Sequence, residues 1–150
     1  MFLGTVVYAI VNSVILALMA IGFNLTFGIS GVANFAYGAL YIFSAYVSWM
    51  LLNLVKLPYF FSAGISILLT AILGALMYRI VLQRVRGQAL SEVIATFGIG
   101  LAILELFRYL GFVGFEYTLP VFVDASFFIL GAYVDMQRIL IVIIGILLVF

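Results

Sequence analysis

The chain contains no cysteine and no histidine, only two prolines and one tryptophan, and just six basic and five acidic residues in 150. Each shortage excludes something. Without cysteine there are no disulfides and no thiol chemistry, and without histidine the commonest transition-metal sites and the usual general base are also gone. The five acids are scattered, so no clustered carboxylate chemistry replaces them, and the chain is not expected to be an enzyme. A net charge of +1 gives no electrostatic footprint for nucleic acid. There is no Gly-x-x-x-x-Gly-Lys-[Ser/Thr] loop, so the chain is expected to bind no ATP by that route and to carry no cofactor or metal of its own.

What remains is apolar. Hydrophobic residues make up 69% and charged residues 7%, against roughly 25% charged in a soluble domain. Residues 1–55 carry no charged side chain; Lys56 is the first. A helix with no polar face cannot lie on a soluble core, so this run reads as membrane-embedded chain. As one continuous helix it would measure about 80 Å at roughly 1.5 Å per residue. The hydrocarbon core is only about 30 Å thick, so two spans and a connection fit best. With no basic n-region before the first apolar stretch, that stretch reads as a retained span, not a signal peptide.

The hydropathy places spans near Gly4–Phe27, Phe35–Leu54, Tyr59–Leu82 and Leu90–Phe112. Lys56-Leu57-Pro58 ends the second, because the residue before a proline avoids helix. Between residues 114 and 138, Glu116, Pro120, Asp124, Asp135 and Arg138 interrupt the pattern. This predicts an ordered outer segment with extended stretches over Leu119–Val123 and Phe127–Tyr133. Ile139–Phe150 then begins another apolar run. The expectation is an all-α, polytopic transmembrane helical bundle: about four full spans and the start of a fifth, in one domain over residues 1–150. The last run is too short to span, so the chain is expected to be the N-terminal part of a longer protein.

Three groups of residues could carry function. The first is the cluster from Asn24 to Gly38. Asn24, Gly28 and Gly31 recur at i, i+4, i+7, and Ser30, Asn34 and Gly38 at i, i+4, i+8. Such stripes let a second backbone approach closely. They also suit a broken helix or tight corner near residues 28–38 that lines a substrate path, where amide side chains and unwound backbone supply donors and acceptors. The plain alternative is helix packing around a turn. The second group is Glu105 and Arg108, three apart on one helix face, which are expected to form a mutually neutralising membrane ion pair, with a proton or ion relay as the alternative. The third is Arg79, Arg84 and Arg86. The positive-inside rule makes their loop cytoplasmic and, after three spans, puts the N-terminus outside. The same arginines could dock a cytoplasmic partner or anionic headgroups. Glu92, just beyond them, reads as a helix-start residue.

The run from Ala17 to Tyr41, Ala-Leu-Met-Ala-Ile-Gly-Phe-Asn-Leu-Thr-Phe-Gly-Ile-Ser-Gly-Val-Ala-Asn-Phe-Ala-Tyr-Gly-Ala-Leu-Tyr, resembles the permease subunits of branched-chain amino-acid ABC importers. Asn12, Gly22, Gly28, Gly31, Asn34, Phe35, Ala36 and Gly38 fall on that family's pattern. Arg79 to Arg86 followed by Ile94-Ala95-Thr96-Phe97-Gly98 resembles its basic loop and next span. Tyr37 stands where histidine is usual and Arg84 where proline is frequent, and the family's permeases are about twice this length. The resemblance implies a multi-pass subunit in the cell membrane, forming part of the path for branched-chain amino acids. Its implied partners are a second permease subunit (homo- or heterodimer), two cytoplasmic ATPase subunits that use the ATP, and an extracytoplasmic substrate-binding protein. Alternatives are the same fold moving urea or short amides, and a non-transporting or truncated membrane protein.

Overall fold

Nothing in residues 1–30 breaks a helix: there is no proline, and the apolar side chains favour no alternative hydrogen bonding. Helix α1 accordingly runs from Phe2 to Ser30. The computed structural model of the protein describes residues 2–112, 119, 126–129 and 132–149. After α1 come α2 (Tyr37–Asn53), α3 (Tyr59–Met77), a π-helical turn (Tyr78–Leu82), the short α4 (Gln83–Val85) and α5 (Ala89–Tyr109). Strands β1 (Ser126–Ile129) and β2 (Ala132–Asp135) precede α6 (Met136–Val149). The molecule is a membrane helical bundle with one two-stranded ribbon among the described residues.

Among the described residues, three helical stretches are long and apolar enough to cross a bilayer: Gly4–Ser30, Tyr59–Val85 and Ala89–Tyr109. The second expected span, Phe35–Leu54, is realised as α2, whose 17 residues reach about 26 Å, at the short end of what crosses about 30 Å of hydrocarbon. The expected arginine loop is corrected. Arg79 lies in the π-helical turn and Arg84 in α4, so the rod that began at Tyr59 carries both, and only Arg86 lies beyond it. No breaker intervenes until Gly87, whose φ is +89°.

The chain divides into two compact units, residues 1–25 with 120–150, and residues 26–119. In the second unit α2 packs against both α3 and α5. Its α2–α3 contact is built from small hydroxyl residues: Ser48 Oγ donates to Ser66 Oγ (2.7 Å), and Ser62 Oγ donates to the Ser48 carbonyl (2.9 Å). Ser62 and Ser66 are fully buried, as expected where van der Waals fit and interhelical hydrogen bonds replace the hydrophobic effect. At the α2–α5 contact, Tyr46 stacks on Phe107 (4.7 Å between centroids) and donates its hydroxyl to the Phe112 carbonyl (3.1 Å). That carbonyl lies just past a Schellman cap. Gly111 (φ +85°) donates to Arg108 O and Phe112 N–H to Phe107 O, while the Phe107 and Phe112 rings meet at 6.0 Å.

In the first unit β1 and β2 pair antiparallel, with Ser126 opposite Asp135 and Ile129 opposite Ala132. The expected extended stretch Phe127–Tyr133 is thus divided between two strands that pair antiparallel, not one continuous strand. The expected Leu119–Val123 strand, and Glu116, Pro120 and Asp124, fall almost wholly outside the described residues. Tyr8 donates its hydroxyl to the Tyr133 carbonyl (2.6 Å), and the Arg138 guanidinium sits 5.8 Å from the Tyr8 ring centroid. Val11 is buried against Val7, Ile139 and Val142. Gly145 gives Leu18 room: a Cβ there would lie 3.0 Å from Leu18 Cδ1.

Candidate functional site

Irregular backbone in a membrane protein must be enclosed by protein or by a water-filled cavity, since lipid cannot satisfy its polar groups. Residues 31–36 meet that condition. Gly31 ends α1 in the left-handed region (φ +70°), donating its N–H to Phe27 O at 2.8 Å, the simple αL cap. The Ser30 hydroxyl donates to Thr26 O (2.7 Å) and accepts from Val32 N–H (3.1 Å). Asn34 Oδ1 accepts from Ala36 N–H (3.0 Å), an Asx turn that redirects the chain into α2. Thr96 Oγ1, donating to Glu92 O at 2.8 Å, also lies 3.4 Å from the Ala33 carbonyl.

Half of the break is enclosed, with Asn34 among its buried residues, while Gly31 and Phe35 are exposed. Val32 and Ala36 are buried, and Val32 belongs to one apolar cluster with Met77 and Leu82, packed by Leu40, Tyr78, Val85 and Ile99. On the α5 side, Gly100 admits the backbone: a Cβ there would lie 3.4 Å from Ala36 Cα. Thus α5 supplies a glycine and a threonine where the break passes, and α3 with the π-turn supplies an apolar wall.

A cavity of about 350 Å³ opens against the break. Its lining combines the end of α1 (Thr26, Ser30), the break (Val32, Asn34), the start of α2 (Tyr37, Leu40), α3 (Thr70, Ala71, Gly74) and the π-turn (Tyr78, Leu82). A π-helical turn inside a long helix often marks a functional position. Here it borders the same cavity as the break.

The sequence-derived candidates separate in this geometry. Asn34 is buried and lines the cavity, and Gly31 makes the turn that puts it there. Gly28 and Gly38 are exposed, with open space where a Cβ would go. Asn24 is exposed on α1, in the other unit. The second small-residue stripe, Ser30-Asn34-Gly38, does not form because residues 31–36 are not helical. Arg79, Arg84 and Arg86 are all exposed, and none forms an ion pair among the described residues. Arg108 Nη1 lies 3.5 Å from Glu105 Oε1 near the end of α5, with 71% and 68% of these side chains exposed.

Two features escaped the sequence reading. Glu92, taken as a helix-start residue, is in the first turn of α5 but buried, and its Oε1 accepts the Gly87 N–H at 2.8 Å. It therefore latches the turn between α4 and α5. The α3 half of the cavity was also missed. Its signal was present as Ser62, Ser66, Thr70 and Gly74, small residues at i, i+4, i+8 and i+12.

Searches of curated proteins and of solved structures returned no match. The family model described as branched-chain amino acid transport system / permease component matches residues 5–150, nearly the whole chain. With the apolar helices already described, that match makes the assignment: the chain belongs to the family of permease components of branched-chain amino acid transport systems.

Proposed function

We propose that this chain is a multi-pass permease subunit of an ABC importer in the cell membrane, and that it forms part of the translocation path for branched-chain amino acids. The observation that carries this reading, beyond family membership, is the enclosed Gly31–Ala36 break. It spends buried, non-helical backbone and an asparagine beside a cavity, in a chain otherwise apolar enough to need neither. The path residues proposed here are Asn34, which faces the cavity, and Gly31, which positions it.

A permease of this kind performs no bond chemistry. Movement of solute follows from a shift of helix packing between outward- and inward-open states, driven by ATP hydrolysis in cytoplasmic partner subunits. The remaining partners in this reading are a second permease subunit and an extracytoplasmic binding protein. The exposed Arg79, Arg84 and Arg86 mark the cytoplasmic side and offer a surface to those ATPases.

The test is reconstitution of the intact protein with its ATPase and binding-protein partners in proteoliposomes. ATP-dependent uptake of leucine-type amino acids is expected. If leucine, urea and short amides are all left outside, the proposal is wrong.

A further inference from the structure

The cavity carries more information than its position. Asn34 retains 8% of its surface, and its Oδ1 is committed to the Ala36 amide. Its Nδ2 has two hydrogens and no acceptor among the described residues. An amide NH2 sealed in protein without an acceptor is costly. Here it is not sealed: among the described residues, no fully enclosed side-chain nitrogen or oxygen lacks a partner. The free donor therefore keeps open surface, and the cavity that Asn34 lines lies beside it.

The rest of the lining defines what could accept that donor. No residue around the cavity is charged, and its wall is mainly apolar, from Val32, Leu40, Ala71, Gly74 and Leu82. Thr70 Oγ1 donates to Ser66 O (2.7 Å), so toward the cavity it offers lone pairs. The site thus presents an unspent amide donor at the break, a hydroxyl acceptor on α3 and apolar surface between. A volume of about 350 Å³ lies within the range of small-molecule pockets, roughly 300–1,000 Å³. A solute with net charge would bring an ion with no counter-ion, and the desolvation would not be repaid.

We propose that this cavity is a cargo-binding pocket in which the Asn34 amide donates to an acceptor oxygen of the cargo, and that its uncharged wall restricts it to small solutes without net charge. The inference rests on the transport reading above. The oxygen is a carboxylate oxygen if the cargo is a neutral amino acid and a carbonyl oxygen if it is a short aliphatic amide. The residues newly assigned are Thr70, Ala71 and Gly74 of α3 and Tyr78 and Leu82 of the π-turn.

The test uses the intact protein with its partners in proteoliposomes, with leucine, isovaleramide, lysine and glutamate as probes. Wild type is expected to take up leucine or isovaleramide, whichever oxygen the pocket recognises, and to exclude lysine and glutamate. Gly74→Leu, whose side chain would grow into the cavity, is expected to lower uptake about tenfold or more by occupying the pocket. Gly64→Leu, on the exposed side of α3 with open space around it, keeps wild-type uptake. Asn34→Asp, which replaces the donor by a negative charge, raises KM for the accepted solute by about tenfold, the effect of losing one charge-assisted hydrogen bond.

A second readout does not depend on transport by a crippled variant. The 150 residues contain no cysteine, so Ala71→Cys places a single reporter in the wall of the pocket. Its reaction with a small thiol reagent, located by mass spectrometry, should slow when saturating cargo is present. If wild type transports while Gly74→Leu and Asn34→Asp transport as well as wild type, or if cargo leaves Ala71→Cys labelling unchanged, the pocket is refuted and the transport reading stands. Equal uptake of lysine and leucine would refute the charge selection. Absence of all uptake by wild type would instead sink the transport reading itself.

Discussion

Asn24 and Asn34 lie ten residues apart in the same charge-free run, and their surroundings are opposite. Around Asn24, α1 is helical and largely exposed, with Leu16, Leu25, Phe27 and Ile29 on its surface. Around Asn34 the chain leaves the helix and is enclosed by α2, α5 and the π-turn. In water the first arrangement would be untenable. In a bilayer, exposed leucine costs nothing, and the expensive object is the unwound backbone. The comparison teaches that in this protein hydrophobicity alone does not decide burial: large apolar side chains of α1 stay exposed, while Val32, Asn34 and Ala36 of the irregular break are enclosed. Even the two serines that are almost fully buried, Ser62 and Ser66, are polar residues in an interhelical contact.

That contrast can be broken at several points, in descending order of expected effect. Gly100 admits Ala36 Cα, so Gly100→Leu should overpack the break and cost about 1–3 kcal/mol. Thermal unfolding of the purified protein in detergent should show a clear drop in midpoint, whereas Gly28→Leu, facing open space, should show none. Equal drops would mean that the break is not specially enclosed.

Asn34→Leu removes the free donor and the Asx acceptor while leaving the helices apolar. Uptake should fall about tenfold, equivalent to roughly 1.4 kcal/mol, with membrane insertion unchanged. Asn24→Leu should stay within about twofold, since removing an exposed amide leaves no buried group unpaired. Wild-type uptake by Asn34→Leu would remove Asn34 from the path.

At Gly31 the backbone is left-handed, so Gly31→Ala should destabilise by about 1 kcal/mol. Gly28→Ala, inside α1, should instead be neutral or stabilising by up to about 1 kcal/mol. The same melting assay distinguishes them, and a reversed order would contradict the cap assignment. The smallest effect is expected of Thr96→Val, which removes the hydroxyl beside the Ala33 carbonyl at a cost of about 0.6 kcal/mol. Its counterpart Ser13→Ala, where the hydroxyl only returns to Ala9 O on exposed α1, should leave the midpoint in place.

Much of this is legible in the amino-acid sequence. The absence of charge marked the membrane, and glycine with asparagine marked the place where the helix stops. Helix ends came within a few residues of expectation because local chemistry sets them: Gly31 caps α1, Pro58 precedes α3 and Gly111 caps α5. The cavity was only half legible. Asn34 was visible as a polar residue out of place, but Thr70, Gly74 and Tyr78 sit about 40 residues further on and share no local pattern with it. Glu92 stands in the first turn of α5, as its helix-start reading expects, but its latch on Gly87 is not legible in the sequence. A glutamate in a first turn is usually solvated, and only the backbone path of Gly87 brings an N–H within its reach.

By itself the sequence determined that the chain is a set of membrane helices, where they start and stop, and which family it belongs to, because hydropathy, caps and motif spacing are local properties. Only the tertiary structure decided which polar residues matter to one another. It brought the break beneath the π-turn of α3 and against Gly100 of α5. It also set Asn34 in the lining of a cavity built from α1, the break, α2, α3 and the π-turn. The physical reason is that close approach of distant backbones depends on where small residues on separate helices align, and no single helix carries that alignment alone.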